Sequence, residues 1–180
     1  MSTPPAPGTF TPPAYGDRSL ADVVPSVARA LGAELDGHPA GLELPPAPSY
    51  VVFLVDGMGA ELLTRYGHSA PYLSSLVEGS ATGTAGVPST TATSLTSLGT
   101  GLVPGAHGLV GFTARIPGTD RLLNHLWWDK GVDPLQWQPH PIVSTASAGG
   151  ATPAVGLATI RVTTTVRMAV SVTASVVVEV

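Results

Sequence analysis

The stretch YVVFLVDGMGAELL at residues 50–63 decides how the rest of the chain is interpreted. Its apolar run, VVFLV, predicts a buried β-strand that ends at Asp56, on a turn where Gly57 and Gly59 let the backbone reverse sharply. Ligands of open α/β sheets bind at the carboxyl ends of strands, and a carboxylate placed there is a good ligand for a divalent cation. The alternative is an aspartate that ends the strand and caps the next helix. This stretch alone leaves both interpretations open.

The composition restricts the class of protein. A chain of 180 residues can form one domain with a substantial core, and the net charge of -4 without a basic stripe argues against a nucleic-acid partner. There is no cysteine, which excludes disulfides, thiolate metal sites and a cysteine nucleophile. The N-terminal segment lacks the features of a signal peptide, and no apolar run is long enough to span a membrane. We therefore expect no membrane partner and a cytoplasmic location. The sequence does not indicate an oligomeric state.

The chain divides into three parts. Residues 1–17 predict a disordered, proline-rich arm, and residues 18–142 predict an α/β domain. Residues 143–180 form a low-complexity tail dominated by Val, Thr and Ala, which could instead be a terminal hairpin or sheet edge.

Helices are predicted in four segments of the middle part. Pro25 lies within the first of these segments, and it could mark the start of a shorter helix there. An extended segment or second strand is predicted at 80–89. The helical segments are 19–32, 60–67, 70–79 and 91–101.

A second segment, VPSTTATSLTSLGTGLVPGAHGLVGF at residues 87–112, concentrates hydroxyl groups before a predicted helix. The unpaired N–H groups and the positive dipole end of a helix N-terminus suit an incoming phosphate. A nearby divalent cation would lower the pKa of a hydroxyl there and make it a nucleophile. Helix capping by Ser89, Thr90 or Thr91 is the alternative, and it accounts for one of these hydroxyls.

Together, the two segments resemble the alkaline phosphatase superfamily, and most closely its type I phosphodiesterase/nucleotide pyrophosphatase branch. In that branch the first segment ends in a zinc-binding aspartate, which matches Asp56. The second segment carries a nucleophilic threonine followed by a helix and the pattern T-G-x-x-P-x-x-H-G. Counting back from that pattern places the nucleophile at Thr91, which doubles as a metal contact, with Thr90 as the neighbour it could be confused with. The pattern is matched at Thr100, Gly101, Pro104, His107 and Gly108.

The resemblance implies a metal-dependent hydrolase of phosphoric esters, acting on phosphodiester or nucleotide pyrophosphate bonds in a small phosphate ester or nucleotide. It implies two zinc ions in the complete family enzyme, and a layered sheet with helices on both faces that is incomplete in this chain. This chain departs from the branch at residues 92–95, which read ATSL where F-P-N-H is typical. It also reads GFT at 111–113, where the branch has a phosphate-binding asparagine, so the substrate-binding residues are unknown.

Most metal ligands of the superfamily come from later segments, in patterns such as D-x-x-x-H and D-H-G. After residue 142 this chain has neither Asp nor His, and Asp56 with Thr91 cannot hold two zinc ions. The resemblance places His107 in the turn after the helix, where it is not a zinc ligand. We therefore expect an N-terminal portion of such an enzyme, with a frameshifted tail and weak or no activity. The alternatives are a non-catalytic fragment or binding module, and a phosphomonoesterase or phosphotransferase on the same scaffold.

Overall fold

The computed structural model describes residues 10–143, except residues 34, 36, 39, 40, 49 and 78, together with the strand backbone at 175–179. Residues 1–9 of the arm predicted at 1–17, and residues 144–174 and 180 of the tail predicted at 143–180, lie outside the described residues. A short 3₁₀ turn at Gly67–Ser69 joins the second and third helices. In chain order the elements are α1 (Leu20–Ala30), β1 (Val51–Val55), α2 (Ala60–Tyr66), α3 (Pro71–Val77), α4 (Thr91–Thr100), α5 (Pro104–His107), β2 (Thr113–Arg115), β3 (Leu122–Asn124), α6 (Pro134–Trp137) and β4 (Ser175–Glu179).

Helix α1 starts at a reciprocal cap. The Asp22 carboxylate accepts hydrogen bonds from the Ser19 N–H at 2.8 Å and from the Ser19 hydroxyl at 2.6 Å. Pro25 lies inside the helix, so the alternative of a shorter helix beginning at Pro25 is wrong. The cap fixes the first turn before the proline, and the missing N–H removes only one bond of the helix.

The core lies between α1 and α4. Val23 and Val24 of α1 pack with Leu98 of α4, and Val52 and Leu54 of β1 lie against this cluster. The two strand residues are two positions apart, as expected for one face of a strand. The fully buried members of the cluster are Leu20, Val23, Val24, Ala28, Leu98 and Val143.

The strand β1 forms where the sequence predicts it, but it is not buried on both faces. Val51 is 59% exposed and Phe53 is 51% exposed, because the face opposite the core has no helix over it among the described residues. The neighbour of β1 is β4, which pairs with it antiparallel in the register Val51↔Glu179 to Val55↔Ser175. A second antiparallel pair joins β2 and β3. The described residues thus mix helices with small antiparallel sheets, and the layered sheet with helices on both faces stays a prediction.

The segment before α4 is extended and is anchored to the start of α1. Thr84 donates its N–H to the Arg18 carbonyl at 2.8 Å and accepts from the Leu20 N–H at 2.9 Å, which forms a single parallel bridge. The Thr84 hydroxyl accepts from the Ala14 N–H at 2.8 Å. These contacts fix the chain as it enters α4.

None of the described helices has both the length and the apolar character needed to cross a bilayer.

Candidate active site

Asp56 lies in the exposed turn that follows β1. The turn requires glycine at the next position, because Gly57 has φ = 76°. Helix α2 has Gly59 at its N-cap, and no side chain bonds there, so Asp56 does not cap this helix. The capping alternative for this aspartate is therefore excluded. None of the ion pairs formed within the described part of the chain involves Asp56.

The two candidate threonines have different positions at the start of α4. Thr90 is the N-cap, and its hydroxyl accepts from the Thr93 N–H at 3.5 Å and lies 2.9 Å from the Thr93 hydroxyl. Thr91 is the first residue of the helix and is half-buried. Capping therefore accounts for the Thr90 hydroxyl and leaves the Thr91 hydroxyl outside the cap. Thr91 also lies at the positive end of the helix dipole, where an anion is stabilised.

The end of α4 is fixed by a glycine of the T-G-x-x-P-x-x-H-G pattern. Gly101 has φ = 70°, in the left-handed region that side chains disfavour. A Cβ at this position would lie 2.7 Å from Cγ of Pro25 and 2.9 Å from Nδ1 of His38. Both constraints require glycine here, so this part of the pattern positions α4 against α1.

His107 is buried and uses both ring nitrogens. Its Nδ1 accepts from the Leu109 N–H at 3.1 Å, so the proton is on Nε2, which lies 2.9 Å from Oγ of Ser97. Burial, and then the nearby charge of His140, lower the pKa of His107 from 6.5 to about 4, against an opposing backbone hydrogen bond. The ring is neutral at neutral pH and has no free nitrogen for a metal. His107 is the last residue of the short helix α5, which follows α4.

The segment at residues 121–141, which contains all three tryptophans of the chain, forms one wall of a cleft of about 340 Å³. His125 donates from Nδ1 to the Gly111 carbonyl at 2.6 Å and accepts on Nε2 from the Trp137 indole at 3.0 Å. Trp128 donates to the Val132 carbonyl at 2.8 Å, whereas Trp127 is 67% exposed. The cleft contains neither Asp56 nor Thr91. It is lined by His107, Gly108, Leu109, Ala114, Pro117, His125, Gln136 and Trp137.

Sequence reasoning missed the Ser97–His107 and His125–Trp137 pairs. The first pair is separated by ten positions and the second by twelve, and neither pair lies within a single helix or strand, so no local periodicity brings its members together. Only the Ser97 position within the predicted helix and the H-G pair of the pattern could have pointed to the first pair. Both pairs fix the turns that follow α4.

The described residues do not complete a metal centre. No group of three His, Cys, Asp or Glu side chains within the described ranges is arranged to hold a metal ion. No hydrogen bond or ion pair in that part of the chain joins Asp56 to Thr91. The proximity of these two residues therefore stays a prediction.

Comparison with known proteins identifies a family. A family model described as "Type I phosphodiesterase / nucleotide pyrophosphatase" matches residues 50–175, which include both motif segments and more than half of the chain. Searches of curated proteins and of solved structures found no match. The chain belongs to the type I phosphodiesterase/nucleotide pyrophosphatase family, a member of the alkaline phosphatase superfamily.

Proposed function

We propose that this chain carries the nucleophile of a metal-dependent hydrolase of phosphodiester or nucleotide pyrophosphate bonds, and that the nucleophile is Thr91. The family acts on small phosphate-ester or nucleotide substrates and generally depends on a divalent metal. The observation that supports Thr91 most directly is the cap of α4. The Thr90 hydroxyl is used by Thr93, and the hydroxyl next along the chain is outside the cap.

In the proposed reaction, Oγ1 of Thr91 attacks phosphorus in line with the leaving group. The oxygen–phosphorus bond forms as the bond to the leaving group breaks, and the leaving oxygen takes that electron pair while Thr91 loses its proton to solvent. The product is a phosphoryl- or nucleotidyl-threonine, which water then hydrolyses. The N-terminal N–H groups of α4 stabilise the negative charge of the phosphoryl oxygens.

We further propose that Asp56 and Thr91 contribute to the metal site of the family, which in the complete enzyme holds two zinc ions. An exposed carboxylate after a strand and a half-buried hydroxyl at a helix N-terminus are oxygen donors suited to a divalent cation. The described residues do not supply a third ligand, so no step of the reaction is assigned to the metal. Substitution Asp56→Asn should weaken zinc binding in calorimetric titration, and unchanged binding would contradict this assignment.

The test of the nucleophile uses a chromogenic phosphodiester with added zinc. Thr91→Ala should reduce turnover by at least about 10²-fold, because the attacking atom is removed. Thr91→Ser retains a hydroxyl and should retain part of the turnover, and Thr90→Ala is the matched control that removes the neighbouring hydroxyl. Turnover that survives chelation of the metal, or that Thr91→Ala leaves unchanged, would refute the mechanism. A greater loss in Thr90→Ala than in Thr91→Ala would assign the nucleophile to Thr90.

A non-catalytic binding module is the second candidate, and the incomplete metal site within the described ranges favours it. It predicts no turnover and no zinc uptake, with phosphate esters still bound. A phosphomonoesterase or phosphotransferase on the same scaffold would instead prefer a phosphate monoester over a diester in the same assay. The proposal that the chain is the N-terminal part of such an enzyme, with a frameshifted tail, is tested by reading the downstream locus in all three frames for D-x-x-x-H and D-H-G.

A further inference from the structure

One buried hydroxyl on α4 has no partner among the described residues. Ser94 is 3% exposed, and its Oγ forms no hydrogen bond there. The other hydroxyls of the helix beyond Thr91 are satisfied. Thr96 and Thr100 each donate to the carbonyl four residues before, at 2.8 and 2.7 Å, and Ser97 is bonded to His107. A buried polar group without a partner is uncommon in proteins and calls for an explanation.

Ser94 lies three residues after Thr91, and residues at this spacing are neighbours on one face of a helix. Side chains of a helix are directed toward its N-terminus, so the Ser94 hydroxyl lies over the turn that contains Thr91. At the start of the same helix two hydroxyls three positions apart do meet, because Oγ1 of the N-cap Thr90 lies 2.9 Å from Oγ1 of Thr93.

We propose that Ser94 is a positioning residue for Thr91, its hydroxyl donating a hydrogen bond to Oγ1 of Thr91. This inference rests on the proposed function of Thr91 as the nucleophile. The hydrogen bond orients the attacking lone pair and stabilises the negative charge on the oxygen as its proton leaves. Ser94 keeps its own proton throughout, and its bond weakens once the oxygen is bonded to phosphorus.

A purely structural role would look different. Ser94 would then donate to the Thr90 carbonyl, as Thr96 and Thr100 do to theirs, and its loss would have no specific effect on the nucleophile. The matched control is Thr96→Ala, which removes a hydroxyl of the same helix that already has a carbonyl partner.

The experiment compares the wild type, Ser94→Ala, Thr91→Ala, the double variant and Thr96→Ala, with added zinc. Ser94→Ala should lower kcat about tenfold and leave KM unchanged, because one hydrogen bond to the attacking oxygen is lost. The pH at which kcat rises should move upward, because the oxygen of Thr91 is harder to ionise without its donor. Thr96→Ala should change neither quantity. The shifts in thermal unfolding midpoint caused by Ser94→Ala and Thr91→Ala should not add up to the shift of the double variant.

The outcomes separate this inference from the function on which it rests. If the wild type turns over and Thr91→Ala does not, a normal kcat and pH profile in Ser94→Ala overturns the role of Ser94 alone. If Thr91→Ala is as active as the wild type, the proposed function fails. If neither the wild type nor any variant turns over the substrate, the shifts in thermal midpoint provide the test. Additive shifts then overturn the contact between Ser94 and Thr91, and non-additive shifts support it.

Discussion

Oγ of Ser97 lies 2.9 Å from Nε2 of His107, and this hydrogen bond joins the second half of α4 to the last residue of α5. The opposite nitrogen of the imidazole accepts from the Leu109 N–H, so the ring holds the helix and the turn together. The Gln138 side chain adds a hydrogen bond at 3.2 Å to the His107 carbonyl. The H-G pair of the family pattern therefore acts as a structural link, at a distance from the proposed nucleophile.

We expect acid to destabilise the fold through His107. The pKa is about 4 in the folded protein and 6.5 in the unfolded chain, so the unfolded chain binds the proton first as the pH falls. The stabilisation is complete above pH 6.5 and is lost as the pH falls toward 4, by an amount on the order of 3 kcal/mol. Urea unfolding at pH 7.5 and 4.5 should show a larger loss for the wild type than for His107→Gln. Equal losses in the two proteins would contradict this prediction.

We expect Thr90→Ala to destabilise the protein by about 1–2 kcal/mol. The substitution removes the N-cap of α4 and leaves the hydroxyl of Thr93, which is 0% exposed, without its partner. Thr90→Ser keeps the cap and should be close to the wild type, and Thr91→Ala should lose less stability than Thr90→Ala because it leaves the cap intact. Denaturant titrations measure all three variants. A larger loss of stability in Thr91→Ala than in Thr90→Ala would mean that the cap is misassigned.

We expect Asp56 and Thr91 to be close enough to be bridged. The chain has no cysteine, so Asp56→Cys combined with Thr91→Cys introduces the only two thiols. A disulfide needs Cα atoms within about 7 Å, and a short thiol-bridging reagent extends this reach slightly. Mass spectrometry should detect the intramolecular bridge in this pair but not in Asp56→Cys with Thr96→Cys. Equal bridging in both pairs, or no bridge in either pair, would contradict the predicted proximity of Asp56 and Thr91.

Two neighbouring leucines of β3 should differ sharply in their effect on stability. Leu123 is 0% exposed, whereas Leu122 is 67% exposed. Leu123→Ala should cost about 2–5 kcal/mol, because it leaves a cavity under the hairpin. Leu122→Ala should stay within about 0.5 kcal/mol of the wild type. Unfolding midpoints measure the stability of both variants. Similar losses would contradict the difference in burial between the two leucines.

The helices were predictable where capping and glycine signals agree with apolar periodicity. Gly67 and Gly101 follow α2 and α4 as expected, and Pro71 starts α3. The helix predicted at 19–32 is present as α1, and only the alternative start at Pro25 was wrong, since a cap six residues earlier outweighs one missing hydrogen bond. The exposure of Phe53 could not be predicted, because an apolar strand has the same sequence whether one face or both are covered.

The site residues Asp56 and Thr91 stay predictions, but the structure distinguishes the two adjacent threonines at the start of α4. The sequence could not show which of the adjacent threonines caps α4, because the two are the same residue type. The hydrogen bonds to Thr93 show that the cap is Thr90. The role of Ser97 had only a weak sequence signal, the H-G pair of the pattern, since its partner belongs to a different helix. The missing asparagine of the family left the phosphate-binding side chain unassigned, and the burial of the unpartnered Ser94 hydroxyl depends on tertiary packing that the sequence does not encode locally.

The pairing of β1 with β4 affects how the chain folds during its synthesis. Val55 pairs with Ser175, so the partner of β1 is translated 120 residues later. At about 5–20 residues per second, β1 emerges from the ribosome on the order of ten seconds before β4 exists. Throughout that interval Val51 and Phe53 are part of a nascent apolar edge, the kind of surface that chaperones protect during synthesis.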